Sequence, residues 1–210
     1  MLKILIADDH PVFRKGLKQI IAETPDIAVA GEAANGLEVL NKVKMGDFDL
    51  VLLDISMPGK TGIDVLAQLK YERPELPVLM LSMHPEEQYA VRSLKAGASG
   101  YLTKESAPDE LVAAIRKVST GGIYVSASLA ERLASIVQKG SEELPHDTLS
   151  NRELRVMCLI ASGKTVSEIA KELSLSIKTV STYRSRILGK MKMKNNAELT
   201  HYAINNKLID

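Results

Sequence analysis

Short apolar runs alternate with longer segments of helical period through the first 120 residues. The runs at 3–7, 28–33, 50–53, 78–81 and 100–102 are brief and mostly apolar throughout. They predict strands covered on both faces, as in a parallel sheet. Between them, apolar positions recur at helical spacing over 11–23, 36–44, 62–72, 86–96 and 108–119. Regular alternation of the two patterns predicts an α/β domain, a doubly wound five-stranded parallel sheet with helices on both faces.

The pattern changes after Gly121-Gly122. Residues 126–139 predict one further helix with Leu129, Leu133, Ile136 and Val137 on one face, and 140–147 is polar and contains Pro145. The stretch 122–148 therefore reads as a linker carrying one helix. From 149 to 210 the pattern is helical. Ser150 with Glu153, and Thr165 with Glu168, form two capping-box signatures, each marking a helix start. Gly163 ends the first of these helices, and Ser174-Leu175-Ser176 makes a short turn after the second. Further helices are expected over 177–191 and 196–205, the former turning Ile177, Val180, Ile187, Leu188 and Met191 to the core. The organisation is thus an α/β domain at 1–121, the linker, and a small all-α four-helix domain at 149–210.

Charge sharpens this division. The net charge of +1 conceals an excess of +6 over residues 149–210 and of −5 over the rest. A small basic domain joined to an acidic one suggests a polyanion for the first and cation binding for the second. Cys158 is the single cysteine, which excludes an intrachain disulfide and a cysteine-based metal site. No run approaches the ~18 apolar residues of a membrane span, and the apolar start before Asp8 is too short for a signal segment. A cytoplasmic setting is expected.

The chemistry gathers at the predicted strand ends. In an open parallel sheet, ligands collect beyond the carboxyl ends of the strands, where strand order reverses. Asp8 and Asp9 end the first strand, Asp54 the third and Ser82 the fourth, and Lys104 lies just past the fifth. Three converging carboxylates call for a hard divalent cation with oxygen ligands, Mg²⁺ or Mn²⁺. One carboxylate then remains as a nucleophile towards phosphorus. Asp54 is assigned that role, because the buried run 50–53 presents it rigidly. Lys104 and the ion would balance charge on the phosphoryl oxygens, and Ser82 would donate a hydroxyl to one of them.

Asp8-Asp9, Asp54 with Met57-Pro58, Ser82, and Tyr101 three residues before Lys104 resemble the receiver domain of two-component response regulators. The resemblance covers about residues 1–120 and implies a flavodoxin-like fold with Asp54 as phosphoacceptor for a sensor histidine kinase. It also implies Asp9, Asp54 and the Ser56 carbonyl as direct metal ligands, Asp8 as a water-mediated one, and Ser82 and Tyr101 as coupled switch residues. Phosphorylation would draw Ser82 and Lys104 to the phosphoryl group and let Tyr101 rotate inward. His84 is a candidate for tuning phosphoryl lifetime, or a plain surface residue. A phosphoaspartate phosphohydrolase is the enzyme-class rival. Such enzymes carry a second Asp two residues after the nucleophile, where this chain has Ser56, so only slow self-phosphorylation and self-dephosphorylation are expected.

In the basic domain, Lys178, Arg184, Arg186, Lys190, Lys192 and Lys194 place six cations and no anion within 17 residues. Such a stripe neutralises phosphates, and Ser181, Thr182 and Ser185 beside it are small polar groups able to reach base edges. The segments 149–153, Ile169-Ala170, Leu173 and Lys178-Thr179-Val180 resemble the LuxR-type DNA-binding domain. Together the halves resemble the NarL/FixJ class of response regulators, and the run 178–186 is similar to its UvrY/GacA type. The resemblance implies a scaffold helix at 166–173 and a recognition helix at 177–191. Its contact residues would be Lys178, Thr179, Ser181, Thr182, Arg184, Ser185, Arg186 and Lys190. It also implies a homodimer on double-stranded DNA when phosphorylated, with the receiver masking the recognition helix beforehand. Two departures stand out: Tyr183, where many of the class carry His, and Gly189 inside the recognition helix. From charge alone, RNA or an acidic protein remain alternative partners of the basic helix.

Overall fold

The computed structural model describes residues 1–83, 86–139 and 144–209. His84 and the 140–143 part of the polar stretch lie outside the described residues. The chain divides into two compact units, Met1–Leu133 and Ala134–Asp210.

The first unit alternates β1 (Leu2–Ala7), α1 (Pro11–Ala22), β2 (Ile27–Ala33), α2 (Gly36–Met45) and β3 (Leu50–Asp54). It continues with α3 (Gly62–Glu72), β4 (Val78–Ser82), α4 (Glu86–Lys95), β5 (Gly100–Thr103) and α5 (Ala107–Ser119). The strands form one sheet in the order β2-β1-β3-β4-β5, every pair parallel. This is the doubly wound architecture expected, and its strand order reverses between β1 and β3. β3 and β4 are buried along their whole length, which explains why their sequences show no polar alternation. On one face Ile4, Ile6, Leu50, Leu52, Leu79, Leu81 and Leu102 pack with Leu17 and Ile21 of α1 and with Leu111, Ala114, Ile115 and Val118 of α5. Each fully buried Leu, Ile or Val among them contributes about 1.5–3 kcal/mol.

Helix α6 (Ala127–Lys139) follows. Its approach is fastened to the first unit, because Tyr124 continues the sheet at the edge of β5. The Tyr124 N–H donates to the Ser99 carbonyl at 2.9 Å, and the Tyr101 N–H donates to the Tyr124 carbonyl at 3.1 Å. The Tyr124 hydroxyl reaches Glu110 at 2.9 Å, and burial together with that carboxylate pushes the phenol up to about 12. Within α6 Leu129 is buried and Leu133 and Ile136 are half-buried, but Val137 points outward, against the sequence expectation.

The second unit holds a short 3-10 turn (Pro145–Thr148), α7 (Asn151–Ala161), α8 (Val166–Glu172), α9 (Ile177–Lys190) and α10 (Asn196–Asn205). Both capping boxes form as the sequence predicts, with Ser150 accepting from the Glu153 N–H and Thr165 from the Glu168 N–H. Val180, Ile187 and Met191 are buried and Leu188 is half-buried, whereas Ile177 is 57% exposed. Ile177 is the first residue of α9, one turn before the packed face begins, so its place in the apolar period does not bury it. The 3-10 turn was not expected. Its His146 is buried and lies 2.8 Å from the Tyr202 hydroxyl of α10, so this part of the polar stretch packs within the second unit. Among the described residues no helix is long and apolar enough to cross a membrane.

Candidate functional site

Topology assembles the first site. β1 and β3 are neighbours in the sheet, so Asp8, one residue past β1, and Asp54, the last residue of β3, emerge side by side. Ser82 is likewise the last residue of β4, and Lys104 follows β5. The two are joined through the backbone, the Lys104 N–H donating to the Ser82 carbonyl at 2.7 Å. Asp8, Asp54, Ser82 and Tyr101 are fully buried and Lys104 nearly so. Lys104 Nζ lies 2.5 Å from Asp8 Oδ2 and 3.2 Å from Asp54 Oδ2, bridging the two carboxylates. All these residues meet at one end of the sheet except Tyr101. Tyr101, three residues before Lys104, is fully buried within β5.

Backbone constraints hold Asp54 in place. The Ile55 N–H donates to the Leu81 carbonyl at 3.0 Å, and the Gly62 N–H donates to the Ile55 carbonyl at 2.9 Å. A side-chain Cβ on Gly62 would fall 2.1 Å from the Asp54 carbonyl oxygen. Only glycine permits α3 to begin this close to the strand end. Gly62 thus supports the site from behind, and only its spacing after Asp54 hinted at this.

The electrostatics are those of a pocket short of positive charge. Burial raises the Asp54 carboxyl to about 6, with the Asp8 charge adding to the rise, while Lys104 and the Ser56 N–H partly oppose it. Asp8 Oδ2, Asp9 Oδ1 and both Asp54 oxygens are sealed from water, and none completes a hydrogen bond of normal geometry. Lys104 offers the two buried carboxylates one shared ammonium. Buried carboxylate oxygens left in this condition are costly, and a hard divalent cation supplies what they lack. Atoms of Asp8, Asp9, His10 and Asp54 able to ligate one ion lie within 4.8 Å of one another. The three carboxylates among them fit Mg²⁺ or Mn²⁺. His10 was not singled out from sequence, although it directly follows the two aspartates; its Nδ1 lies 2.8 Å from Asp9 Oδ1.

The second unit places a helix-turn-helix at α8 and α9. Ser176 caps α9, its hydroxyl accepting from the Thr179 N–H at 3.0 Å and meeting the Thr179 hydroxyl at 2.8 Å. Lys178, Ser181, Thr182, Ser185 and Gly189 stand at spacings of three and four residues and are all exposed, with exposed Arg186 beside them. They form the outer face of α9. Gly189 leaves open space where a side chain would stand. Three residues expected at this face sit elsewhere. Thr179 is engaged in the cap, and Arg184 is half-buried with Nε donating to Asn196 Oδ1 at 2.7 Å.

Lys190 is the third. It turns to α7, its ammonium 2.6 Å from Glu153 Oε2. Burial pushes the Glu153 carboxyl up, but hydrogen bonds from Lys190 and from the Ser150 N–H and hydroxyl outweigh this and hold it below the usual carboxylate value. The same carboxylate thus closes the capping box and anchors the end of α9.

Known proteins share both halves. Residues 4–116 match the family described as response regulator receiver domain, and residues 147–203 match the luxR family of bacterial regulatory proteins. The response regulator UvrY of Escherichia coli (strain K12) is 37% identical over 209 residues, spanning 99% of this chain and 96% of its own. The response regulator GacA of Pseudomonas aeruginosa is 35% identical over 211 residues, spanning 100% of this chain and 99% of its own. Among solved structures, RcsB of Salmonella typhimurium superposes with a TM-score of 0.71 at 27% identity over 98% of each chain. A second RcsB structure, bound to promoter rprA in the presence of the phosphomimetic BeF3⁻, gives a TM-score of 0.66 at 28% identity, covering 96% of this chain and 97% of that one. A doubly wound receiver with its acidic strand-end pocket, followed by a LuxR-type helix-turn-helix, makes this chain a two-component response regulator of the NarL/FixJ class.

Proposed function

We propose that the chain is a transcription regulator switched by transfer of a phosphoryl group from a sensor histidine kinase to Asp54. The observation that carries this is the buried Asp54 carboxylate at the β3 end, both oxygens without a proper hydrogen bond and Lys104 beside it. Asp54 is the nucleophile, and Asp8, Asp9, Asp54 and the Ser56 carbonyl would hold a Mg²⁺ or Mn²⁺ ion, which would supply positive charge to the pocket. Lys104 takes a phosphoryl oxygen when its ammonium leaves Asp8, and the Ser82 hydroxyl takes another. Tyr101, inward in this structure, reports the position of Ser82 through the neighbouring strands. Turnover is confined to slow self-phosphorylation from small phosphodonors and self-dephosphorylation, since no second carboxylate stands at Ser56.

The functional regions follow as a receiver at 1–121, a linker with one helix at 122–148, and a DNA-binding domain at 149–210. The outer face of α9, with Lys178, Ser181, Thr182, Ser185 and Arg186, enters the major groove of double-stranded DNA. Arg184, Thr179 and Lys190 flank that face and position it. Phosphorylation favours a homodimer that reads paired half-sites, in the bacterial cytoplasm. The RcsB complexes with promoter DNA support the DNA reading by likeness of fold.

Incubation of the full chain with labelled acetyl phosphate and Mg²⁺ tests the switch. Wild-type protein incorporates label and sediments as a dimer, and Asp54→Asn does neither. Undiminished labelling of Asp54→Asn would overturn the assignment.

A further inference from the structure

His10 is the N-cap of α1, yet its side chain caps nothing. It sits instead at the exposed rim of the acidic pocket, Nδ1 lying 2.8 Å from Asp9 Oδ1 and 3.2 Å from Asp8 Oδ1. Its backbone N–H also donates to Asp8 Oδ1 at 2.7 Å, which fixes the residue beside that carboxylate. Around an ion with bonds of about 2.0–2.2 Å, adjacent ligand atoms stand on the order of 3 Å apart. The two imidazole distances fit neighbouring positions in one coordination sphere. Lys104 addresses the other oxygen of Asp8, Oδ2, so it does not compete for the edge that His10 faces.

A second observation independently points to a ligand. Both Asp54 oxygens and Asp8 Oδ2 are sealed from solvent without a hydrogen bond, and the single Lys104 ammonium is shared between the two carboxylates. One ligating atom from each of Asp8, Asp9, His10 and Asp54 lies within 4.8 Å of the others. Three oxygens and an imidazole nitrogen are not the donor set that Mg²⁺ favours, which is oxygen alone. Imidazole adds affinity for borderline ions, Zn²⁺ foremost among those that are abundant and redox-inert.

Resting on the reading that this pocket holds a divalent ion, we propose that His10 is a fourth protein ligand that makes the pocket a Zn²⁺ site in competition with Mg²⁺. A zinc ion closed by four protein ligands keeps no open position. It would also engage the Asp54 oxygen needed as nucleophile. Zn²⁺ is thus an inhibitor of phosphoryl acceptance, and Mg²⁺, which leaves His10 unligated and retains waters, is the permissive ion. The consequence is a receiver whose response to its kinase falls as free zinc rises.

Isothermal titration of the metal-free full chain with Zn²⁺ and Mg²⁺ separately, and with Zn²⁺ in excess Mg²⁺, tests this. Wild-type protein is expected to bind Zn²⁺ competitively with Mg²⁺. His10→Gln should lose about tenfold or more in Zn²⁺ affinity while Mg²⁺ affinity changes by less than about threefold. Retained Mg²⁺ binding also shows that the variant is folded. His201→Gln, altering an exposed histidine of the second unit, should leave both affinities unchanged. Imidazole ¹H–¹⁵N spectra should show one histidine shifting with Zn²⁺, and that shift should vanish in His10→Gln. Equal Zn²⁺ affinity in wild type and His10→Gln, or an unmoved His10 resonance, overturns the proposal. If wild type binds Mg²⁺ and Asp54 is labelled while His10 is irrelevant to Zn²⁺, this inference alone falls. If neither ion binds, the reading of the pocket itself falls.

Discussion

Gly62→Ala should damage the proposed phosphoacceptor site without touching any of its side chains. The added Cβ would lie 2.1 Å from the Asp54 carbonyl oxygen, 2.8 Å from Ile55 Cα and 2.9 Å from the Asp54 carbonyl carbon. All three are backbone atoms, so no rotamer change relieves the clash. The start of α3 or the end of β3 must retreat by on the order of 1 Å, since close-packed interiors hold no slack. Overpacking of this kind costs about 1–3 kcal/mol. Alanine returns less than ~1 kcal/mol of helix propensity at a first helical position. The net expectation is a loss of about 2 kcal/mol, or roughly 6–10 °C in the melting of a unit of this size. A displacement near 1 Å at Asp54 should also lower its labelling rate by on the order of 100-fold. Calorimetry of the full chain and the rate of Asp54 labelling at saturating Mg²⁺ measure the two effects. Gly16→Ala is the control. Gly16 lies in the interior of α1 with open space around it, so alanine there should stabilise by about 0.5–1 kcal/mol. Unchanged melting and labelling in Gly62→Ala would refute the packing argument.

Two further expectations concern the second unit. The Glu153 carboxyl titrates below its ordinary value of 4.5, so its contribution is present above that value and is lost as pH falls through the lower folded value. Glu153→Gln should cost about 1–2 kcal/mol at pH 7, less than a wholly buried pair because Lys190 is partly exposed, and should converge with wild type under acid conditions. Amide exchange in α7 reports it, and a pH-independent difference would exclude the ion-pair explanation. On DNA, Lys178→Ala should lower the salt-dependence slope of binding by about one. Lys190→Ala should leave that slope unchanged, because the Lys190 ammonium is committed to Glu153; the opposite ranking, measured by anisotropy across salt concentrations, would mean that Lys190 faces DNA.

The apolar pattern carried the strands and helices because burial on both faces imposes unbroken apolar runs and burial on one face imposes helical period. Strand ends were legible for the same reason: Asp8, Asp54 and Ser82 are the first polar groups after such runs, and Lys104 follows the fifth run after Thr103. The capping boxes at Ser150 and Thr165 were legible because their chemistry is local, complete within four residues. Ile177 and Val137 fit the apolar period yet stand exposed, since period shows that a helix has an apolar face but not how far a partner covers it.

What the sequence alone determined, then, was the two-part organisation, the alternation of elements and the residues brought to the strand ends. Tertiary structure decided everything that depends on separation in sequence. It set Lys104 between Asp8 and Asp54, brought α3 so near Asp54 that position 62 admits no side chain, and set the His10 ring beside Asp8 and Asp9 at the pocket rim instead of on the cap. It withdrew Lys190 from the outer face of α9 to a carboxylate 37 residues earlier, and folded His146 of the polar stretch against Tyr202. The physical reason is common to all of these. Local propensity and period act over a few residues, whereas distances, desolvation and charge pairing are fixed only when remote segments pack.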